Sequence, residues 1–318
     1  MSSNWGNQLK LSIFGESHGN GIGVVLDGLP AGIPIDQEEI FAQMARRAPG
    51  RDLSSTPRKE EDLPEILSGV RNGTLTGAPL AAVIRNRNVR SGDYGNLSVL
   101  PRPGHADYTG YIRYQGANDI RGGGHFSGRL TAPLVFAGAV CRQVLERRGI
   151  KIAAHIARIA SVTDDSFPAL DIPSDLMARL SRSSFAVIRA RAEDDMRAEI
   201  ERARLDCDSV GGVVECAVTG VPAGAGSPMF GGVENVFSSI LFGIPAVKAV
   251  EFGDGFACCG RRGSENNDSF YYNESRQVKT RTNTAAGFWE ASPTVCPFYS
   301  GWESSPPPPL EKNRIPSI

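Results

Sequence analysis

Residues 102–131 have the sequence RPGHADYTGYIRYQGANDIRGGGHFSGRLT, and the rest of the chain is organised around them. The stretch holds Arg102, Arg121 and Arg129, the histidines His105 and His125, and three consecutive glycines ahead of an apolar segment. Backbone amides at a glycine turn, a helix N-terminus and nearby guanidinium groups together bind anions, phosphate above all. The stretch therefore predicts a phosphate site at the start of a buried helix. The alternative is a plain glycine turn with surface arginines.

Two helices are predicted beside this site. Residues 131–147 are apolar over three turns, which indicates a buried helix; Ser127 is placed to cap it, and Pro133 suits its first turn. Asp36 is the predicted N-cap of an earlier helix of about ten residues, with acidic residues in its first turn and Arg47 in its last. Arg47 either complements the helix dipole or reaches a phosphate.

A second candidate stretch lies near the N-terminus. Residues 9–14 and 22–27 have the pattern of strands, and the segment between them contains GESHGNG. Ser17 and His18 therefore occupy a glycine-bounded loop, the kind of place where functional residues concentrate. The alternative is a polar turn whose histidine caps a neighbour.

Predicted strands along the chain occur in consecutive pairs, with helices between the pairs. This order disfavours a doubly wound parallel sheet and predicts an α+β fold in which antiparallel sheets pack on apolar helices. The segments concerned are strands at 65–70, 78–86, 150–160, 213–221 and 247–257, and helices at 175–183, 193–206 and 233–244.

The composition narrows the function classes. A net charge of -1 over 318 residues disfavours a nucleic-acid binder, so the arginines indicate a small anionic ligand. Six cysteines lack metal-ligand spacing, so we predict no metal site and free thiols in a reducing compartment. Because no signal peptide or apolar run of about 18 residues is present, the sequence predicts a cytoplasmic protein without membrane contact.

Taken together, six motifs resemble those of the chorismate synthase family, in that family's order and approximate spacing. The resemblance covers residues 7–283 and implies a sandwich of two antiparallel sheets around apolar helices, with residues 1–283 as one domain. The motifs are GESHG at 15–19, RPGHAD at 102–107, GGGxxSxRxT at 122–131, GVPAG at 220–224, VEFGDGF at 250–256 and TRTN at 280–283.

The resemblance implies a lyase of aromatic amino-acid biosynthesis that works as a homotetramer. The implied reaction converts 5-enolpyruvylshikimate 3-phosphate into chorismate by anti 1,4-elimination of phosphate. It requires reduced FMN without net redox change, and NADPH is a possible reductant. A histidine suits the general acid of such a step, because a pKa near the working pH favours proton transfer.

Roles for individual residues follow from the resemblance alone. His18 and His105 match the family's two general acids, one acting toward the flavin and one toward the departing phosphate. Ser17, Arg102 and Arg129 match substrate-binding positions. The remaining matches are the FMN-contact triplet His125, Phe126 and Ser127, and Arg47 at a position assigned to NADPH or substrate phosphate.

The resemblance is predicted to end at Asn283. From the last base of that codon, permitted codons give HSGGILGGISNGMPILFRVGVKPTPSI in a displaced frame, which is what the family would have there. We therefore hypothesise a single-base insertion or deletion near codon 283. Residues 284–318, which include four consecutive prolines, are then an aberrant and disordered tail. Weak FMN binding and little turnover are expected of the chain as written.

Two rival interpretations belong to other classes. One is a catalytically inactive relative that keeps flavin or anion binding for interaction with other proteins. The other is an unrelated phosphate-binding regulatory protein. Binding of a shikimate-pathway phosphate argues against the second, and turnover argues against the first.

Overall fold

A computed structural model describes residues 3–49, 60–87 and 100–285, together with the backbone of 291–298. The chain divides into two compact units, one ending at Val144 and the other beginning at Leu145. The division falls inside the stretch 1–283 that the sequence presents as one domain.

The first unit contains a five-stranded antiparallel sheet in the order β1-β2-β3-β7-β4. A short hairpin, β5 and β6, accompanies it. These strands are β1 Asn4–Trp5, β2 Lys10–Gly15, β3 Gly21–Asp27, β4 Pro64–Ser68, β5 Val70–Arg71, β6 Thr74–Leu75 and β7 Leu80–Arg85. The loop that carries Ser17 and His18 is thus the turn between two neighbouring strands, as predicted.

Three helices belong to this unit: α1 Gln37–Arg47, α2 Asp107–Tyr114 and α3 Thr131–Glu146, which ends just past the boundary. Asp36 caps α1 by accepting from the backbone N–H groups of its first turn, as predicted. The Gln143 amide in α3 makes a reciprocal pair with the backbone of Asp36, at 2.7 and 2.9 Å. This pair joins the start of α1 to the end of α3, and both helices bury apolar side chains in the same core as the sheet. The end of α1 therefore lies near the start of α3, where Arg47 donates to Thr131.

The second unit contains another five-stranded antiparallel sheet, in the order β11-β14-β10-β8-β9, and a separate hairpin of β12 and β13. Helix α4 contacts β8, and helix α5 contacts β8 and β9. The elements are β8 Lys151–Ile159, β9 Val162–Thr163, α4 Ser174–Arg182, α5 Ala190–Leu205, β10 Gly212–Thr219, α6 Val233–Leu241, β11 Glu251–Phe252, α7 Gly263–Asn266, β12 Phe270–Tyr272, β13 Val278–Thr280 and β14 Ala291–Phe298.

A buried cluster of polar side chains joins strands β8 and β10 to the segment that follows β9. The His155 ring lies between two carboxylates, with Nδ1 at 3.0 Å from Asp164 and Nε2 at 2.8 Å from Glu215. Glu215 also accepts from the backbone N–H of Phe167, whose ring meets the imidazole edge-on. A fully buried imidazole with a carboxylate at each nitrogen satisfies its polar atoms inside the core, which buried polar groups require.

Two segments differ from their predictions. Strand β11 covers only Glu251 and Phe252, because Gly253 and Gly255 have positive φ and turn the chain into a 3₁₀ segment. In the region predicted to be a disordered tail, residues 291–298 form β14, paired with β10 and β11. Its two prolines, Pro293 and Pro297, lack a backbone N–H, so each removes one possible donor from the strand ladders. Residues 286–290 and 299–318 of that prediction lie outside the described part of the chain.

Both sheets are antiparallel throughout and both are accompanied by helices, so the predicted α+β class is confirmed. Within the described residues, no helix has the length and apolarity needed to cross a membrane.

Candidate active site

The loop between β2 and β3 places two candidate side chains in a buried position. Ser17 is 2% exposed and His18 is 8% exposed. The Ser17 backbone N–H donates to the carbonyl of Gly124 at 3.0 Å, which joins this loop to the triple-glycine turn. The structure therefore brings together the two sequence motifs that were predicted to carry function.

The triple-glycine turn needs glycine for two reasons. Gly122, Gly123 and Gly124 all have positive φ, a region that other residues adopt only with strain. A Cβ on Gly122 would also lie 2.4 Å from Cδ2 and 2.5 Å from Nε2 of His18. The turn therefore leaves the space that the His18 imidazole fills.

Replacing Gly122 with alanine is expected to displace His18 and to destabilise the fold by about 2 kcal/mol or more, because a steric clash adds to backbone strain. Gly32→Ala is the matched control, since Gly32 also has positive φ (+80°) but no atom within 4 Å of its added Cβ. Thermal unfolding of both variants measures the difference. Equal losses of stability in Gly122→Ala and Gly32→Ala would mean that the close contact between His18 and Gly122 does not affect the free energy of unfolding.

Arg129 is almost completely enclosed, with 4% of its side chain exposed. Its Nη1 donates to Asp62 and its Nε donates to Asn86 Oδ1 at 2.9 Å. Its Nη2 is buried and has no hydrogen-bond partner among the described residues. A buried guanidinium N–H without a partner is costly unless an acceptor binds there, so Nη2 is a candidate contact for an anionic ligand.

Arg47 shares the carboxylate of Asp62 with Arg129. Its Nη1 donates to Asp62 at 2.8 Å, and its Nε and Nη2 donate to the Thr131 hydroxyl and the Gly128 carbonyl, each at 3.2 Å. Two guanidinium groups thus bind one carboxylate, which places two cationic groups beside the glycine turn. Arg47 therefore does more than complement the dipole of α1.

Residues 56–65, TPRKEEDLPE, have the charged, proline-containing composition of a surface stretch, yet two of them are buried. Glu60 is 8% exposed and Asp62 is 3% exposed. Asp62 adopts a positive φ (52°), and its carboxylate is held by Arg47 and Arg129. A local charge pattern cannot reveal this, because both partners come from distant parts of the chain.

Arg102, His105 and Asp107 form a second cluster. The Arg102 guanidinium donates through Nε and Nη2 to the two oxygens of Asp107, each at 2.9 Å, and His105 Nδ1 lies 2.7 Å from Asp107. Arg102 Nη2 lies 3.1 and 3.2 Å from the two ring nitrogens of His105. Arg102 and Asp107 therefore both contact the His105 ring, and they contact each other.

Asp107 is held ionised by these neighbours. Burial by itself would raise the pKa of its carboxyl, but hydrogen bonds from the Arg102 side chain and backbone, together with the charges of His105 and Arg102, lower that pKa below its usual value. Asp107 thus supplies a fixed negative charge that orients both candidate residues. It lies inside the RPGHAD motif, although sequence reasoning gave it no role.

The Asp107 pair predicts a pH-dependent contribution to stability. Because the folded pKa is lowered, this contribution is present above the unfolded pKa of about 3.9 and is lost as pH falls through the folded value. We expect Asp107→Asn to lower the free energy of unfolding at pH 6 and to converge with the wild type in stronger acid. Urea unfolding between pH 6 and pH 2 measures both. A difference that is constant over this range would contradict the ionic explanation.

The predicted flavin triplet divides into packed and accessible members. His125 Nδ1 lies 2.7 Å from the Gly15 carbonyl and Nε2 lies 2.6 Å from the Ser3 hydroxyl, so the ring bridges to the chain around β2. Ser127 is buried and caps a short 3₁₀ turn, Gly128–Leu130, that precedes α3. Phe126 keeps 37% of its surface exposed and meets Tyr114 of α2 edge-on. Phe126 is the member of the triplet best placed to contact a ligand.

Asp119 and Arg121 complete the surroundings of His18. The Arg121 guanidinium binds both oxygens of Asp119, at 2.9 and 2.7 Å. These hydrogen bonds lower the pKa of Asp119, and the charge of His18 acts in the same direction. A negative charge therefore lies within electrostatic range of the buried imidazole. Sequence reasoning missed this carboxylate, as it missed Asp62 and Asn86.

These features define a class of protein: an α+β protein whose first unit carries a candidate anion site of buried Arg129 and a glycine turn that contacts His18, and a second cluster that holds His105. The comparisons with known proteins narrow that class. The family model for chorismate synthase matches residues 9–292. This match extends past Asn283, where the resemblance was predicted to stop.

Individual relatives agree with the family model. A chorismate synthase of Lancefieldella parvula is 40% identical over 310 residues, covering 94% of this chain and 81% of the relative. One from Thermococcus kodakarensis is 44% identical over 293 residues, covering 92% and 80%. A crystal structure of chorismate synthase superposes with a TM-score of 0.76 at 27% identity, covering 92% of this chain and 84% of that one.

The chain belongs to the chorismate synthase family. It is accordingly a lyase of aromatic amino-acid biosynthesis, and its fold is the α+β fold of that family. The identification based on sequence motifs is therefore confirmed.

Proposed function

We propose that the site converts 5-enolpyruvylshikimate 3-phosphate into chorismate and phosphate by anti 1,4-elimination. The reaction breaks the bond between carbon 3 and the phosphate oxygen and removes a hydrogen from carbon 6. The substrate carries phosphate and carboxylate groups, and the departing phosphate gains negative charge. Preorganised cationic donors stabilise such a transition state.

The observation that carries this proposal is the buried guanidinium of Arg129. Its Nη2 has no acceptor among the described residues, although its other nitrogens are held by Asp62 and Asn86. A phosphate or carboxylate oxygen of the substrate supplies the acceptor. Arg47, on the other side of Asp62, adds a second cation for the same anion.

The two histidines take the proton-transfer roles. His105 is oriented by Asp107, so one ring nitrogen is fixed in place while the ring can deliver a proton to the departing phosphate. His18 is buried against Gly122, close enough to Asp119 to interact with its charge. It serves as the general acid on the flavin side. Arg102 binds substrate beside His105, and Ser17 orients substrate from the loop between β2 and β3.

Reduced FMN is the proposed cofactor, and it supplies transient electron density to the elimination. The exposed ring of Phe126 fits contact with an aromatic isoalloxazine. His125 and Ser127 are engaged by the protein's own backbone and hydroxyl groups, so they shape the loop that holds the cofactor. NADPH is the proposed reductant, with Arg47 as its contact.

The proposed assembly is a homotetramer in the cytoplasm, acting on small molecules and not on nucleic acid. Several large apolar side chains of the second unit support association with another surface. Met229, Phe230, Phe242 and Phe256 each leave more than half of their surface exposed. Exposed apolar groups of this size commonly mark protein interfaces.

Calorimetric titration tests the substrate assignment. We expect the chain to bind 5-enolpyruvylshikimate 3-phosphate saturably, inorganic phosphate to compete, and unphosphorylated shikimate to bind at least about tenfold more weakly, since a charged hydrogen bond contributes about 1.5–3 kcal/mol. Anaerobic incubation with reduced FMN then measures chorismate. Binding without chorismate would favour the inactive relative, and absence of binding would refute the substrate assignment.

A further inference from the structure

Asn86 lies where the first sheet meets the candidate site. It follows β7 directly, and its backbone N–H donates to the carbonyl of Asn20 at 3.3 Å. This contact continues the β3–β7 ladder by one step, beyond the pair of Gly21 with Arg85. The position of Asn86 is therefore set by its pairing with the sheet.

The side-chain amide of Asn86 connects two parts of the site. Its Nδ2 donates to the carbonyls of Glu16 and Gly19, at 3.0 and 2.9 Å, and these residues flank Ser17 and His18. Its Oδ1 accepts from Arg129 Nε at 2.9 Å. The two carbonyl acceptors and the guanidinium donor fix which way the amide points, because the flipped amide would oppose like groups.

Only an amide satisfies all of these partners. A carboxylate would face two carbonyl oxygens without a proton to donate, and an apolar side chain would leave Arg129 Nε unpaired. With Asn86 on Nε and Asp62 on Nη1, the planar guanidinium is held on two edges. Its buried Nη2 then points in one fixed direction, toward the ligand position.

We propose that Asn86 is a positioning residue that fixes the His18 loop relative to the guanidinium of Arg129. This inference rests on the proposed function, in which His18 is a general acid and Arg129 binds the substrate anion. The Asn86 amide, which directly follows β7, keeps His18 and Arg129 at a fixed distance and orientation relative to each other. The contact of Ser17 with Gly124 is a second link. Loss of the amide is therefore expected to loosen the geometry without unfolding the unit.

The test compares Asn86→Asp, which keeps the acceptor for Arg129 and removes the two donors, with Asn86→Ala, which removes both. Asn273→Asp is the matched control: its amide lies in the β12–β13 hairpin, where it donates to Gln277 Oε1 at 3.1 Å. The first readout is the NMR signal of the His18 ring without ligand, identified by its absence in His18→Gln. With four histidines in the chain, such a spectrum is simple. The second is the affinity for 5-enolpyruvylshikimate 3-phosphate.

We expect both Asn86 variants to shift the His18 signal and to weaken substrate binding about tenfold. Asn86→Ala loses the hydrogen bond to the charged Arg129, whereas Asn86→Asp loses the two donors to the His18 loop and adds a carboxylate that competes with the substrate anion for Arg129. Asn273→Asp should change neither. Circular dichroism verifies folding, and if Asn86→Asp fails to fold, Asn86→Ala carries the test. Wild-type His18 signal and wild-type affinity in a folded Asn86→Ala protein would overturn the proposal. If the unaltered chain binds no substrate, the proposed function fails, while the His18 signal still decides the role of Asn86.

Discussion

Arg129→Met is expected to weaken binding of 5-enolpyruvylshikimate 3-phosphate by about a hundredfold or more. The substitution removes a buried cation whose Nη2 has no acceptor among the described residues, and truncating one partner of a buried charge pair costs about 2–5 kcal/mol. It also leaves Asp62 with Arg47 as its remaining guanidinium partner among the described residues. Isothermal titration measures the affinity, and thermal unfolding separates lost binding from lost folding.

Two further substitutions sharpen this prediction. Arg129→Lys keeps the charge but loses the planar fork that contacts Asp62 and Asn86 together, so an intermediate loss of about tenfold is expected. Arg85→Lys is the matched control, since Arg85 pairs with Glu65 on the exposed side of the same unit. Wild-type affinity in a folded Arg129→Met protein would show that the substrate anion binds elsewhere.

Restoring the displaced reading frame after Asn283 is expected to produce the second large effect, a gain of about a hundredfold in affinity for FMN together with measurable turnover. The present tail has no basic residue before Lys312, whereas HSGGILGGISNGMPILFRVGVKPTPSI contains an arginine, a lysine and a glycine-rich turn. Two recovered charge-assisted hydrogen bonds to phosphate, at about 1.5 kcal/mol each, account for a gain of this size. Flavin fluorescence quenching and an anaerobic chorismate assay measure the two quantities.

The control for the tail is a polypeptide that carries the same restored residues in shuffled order after Asn283. It should resemble the chain as written, because the gain depends on position and not on composition. Resequencing the DNA across codon 283 addresses the origin of the tail independently. Equal FMN affinity and turnover in the original and restored polypeptides would refute the frameshift hypothesis as an account of function.

The sequence by itself determined the elements of the fold and the identity of the motifs. An apolar segment of three turns predicted α3, and Asp36 predicted the start of α1, because helix caps and apolar runs are local properties of the sequence. Pairing of successive strands predicted antiparallel sheets. The glycine turn before Arg129 predicted an anion site, since the backbone amides of a glycine turn at a helix N-terminus can bind an anion.

The tertiary structure decided which charges compensate one another and which donors remain for a ligand. Asp62 belongs to a stretch that looks like solvated surface, yet it is buried between Arg47 and Arg129. Asn86 follows a strand without any motif of its own, yet its amide joins the His18 loop to Arg129. Contacts between residues so far apart in the chain depend on strand register and helix packing, which no local pattern of residues encodes.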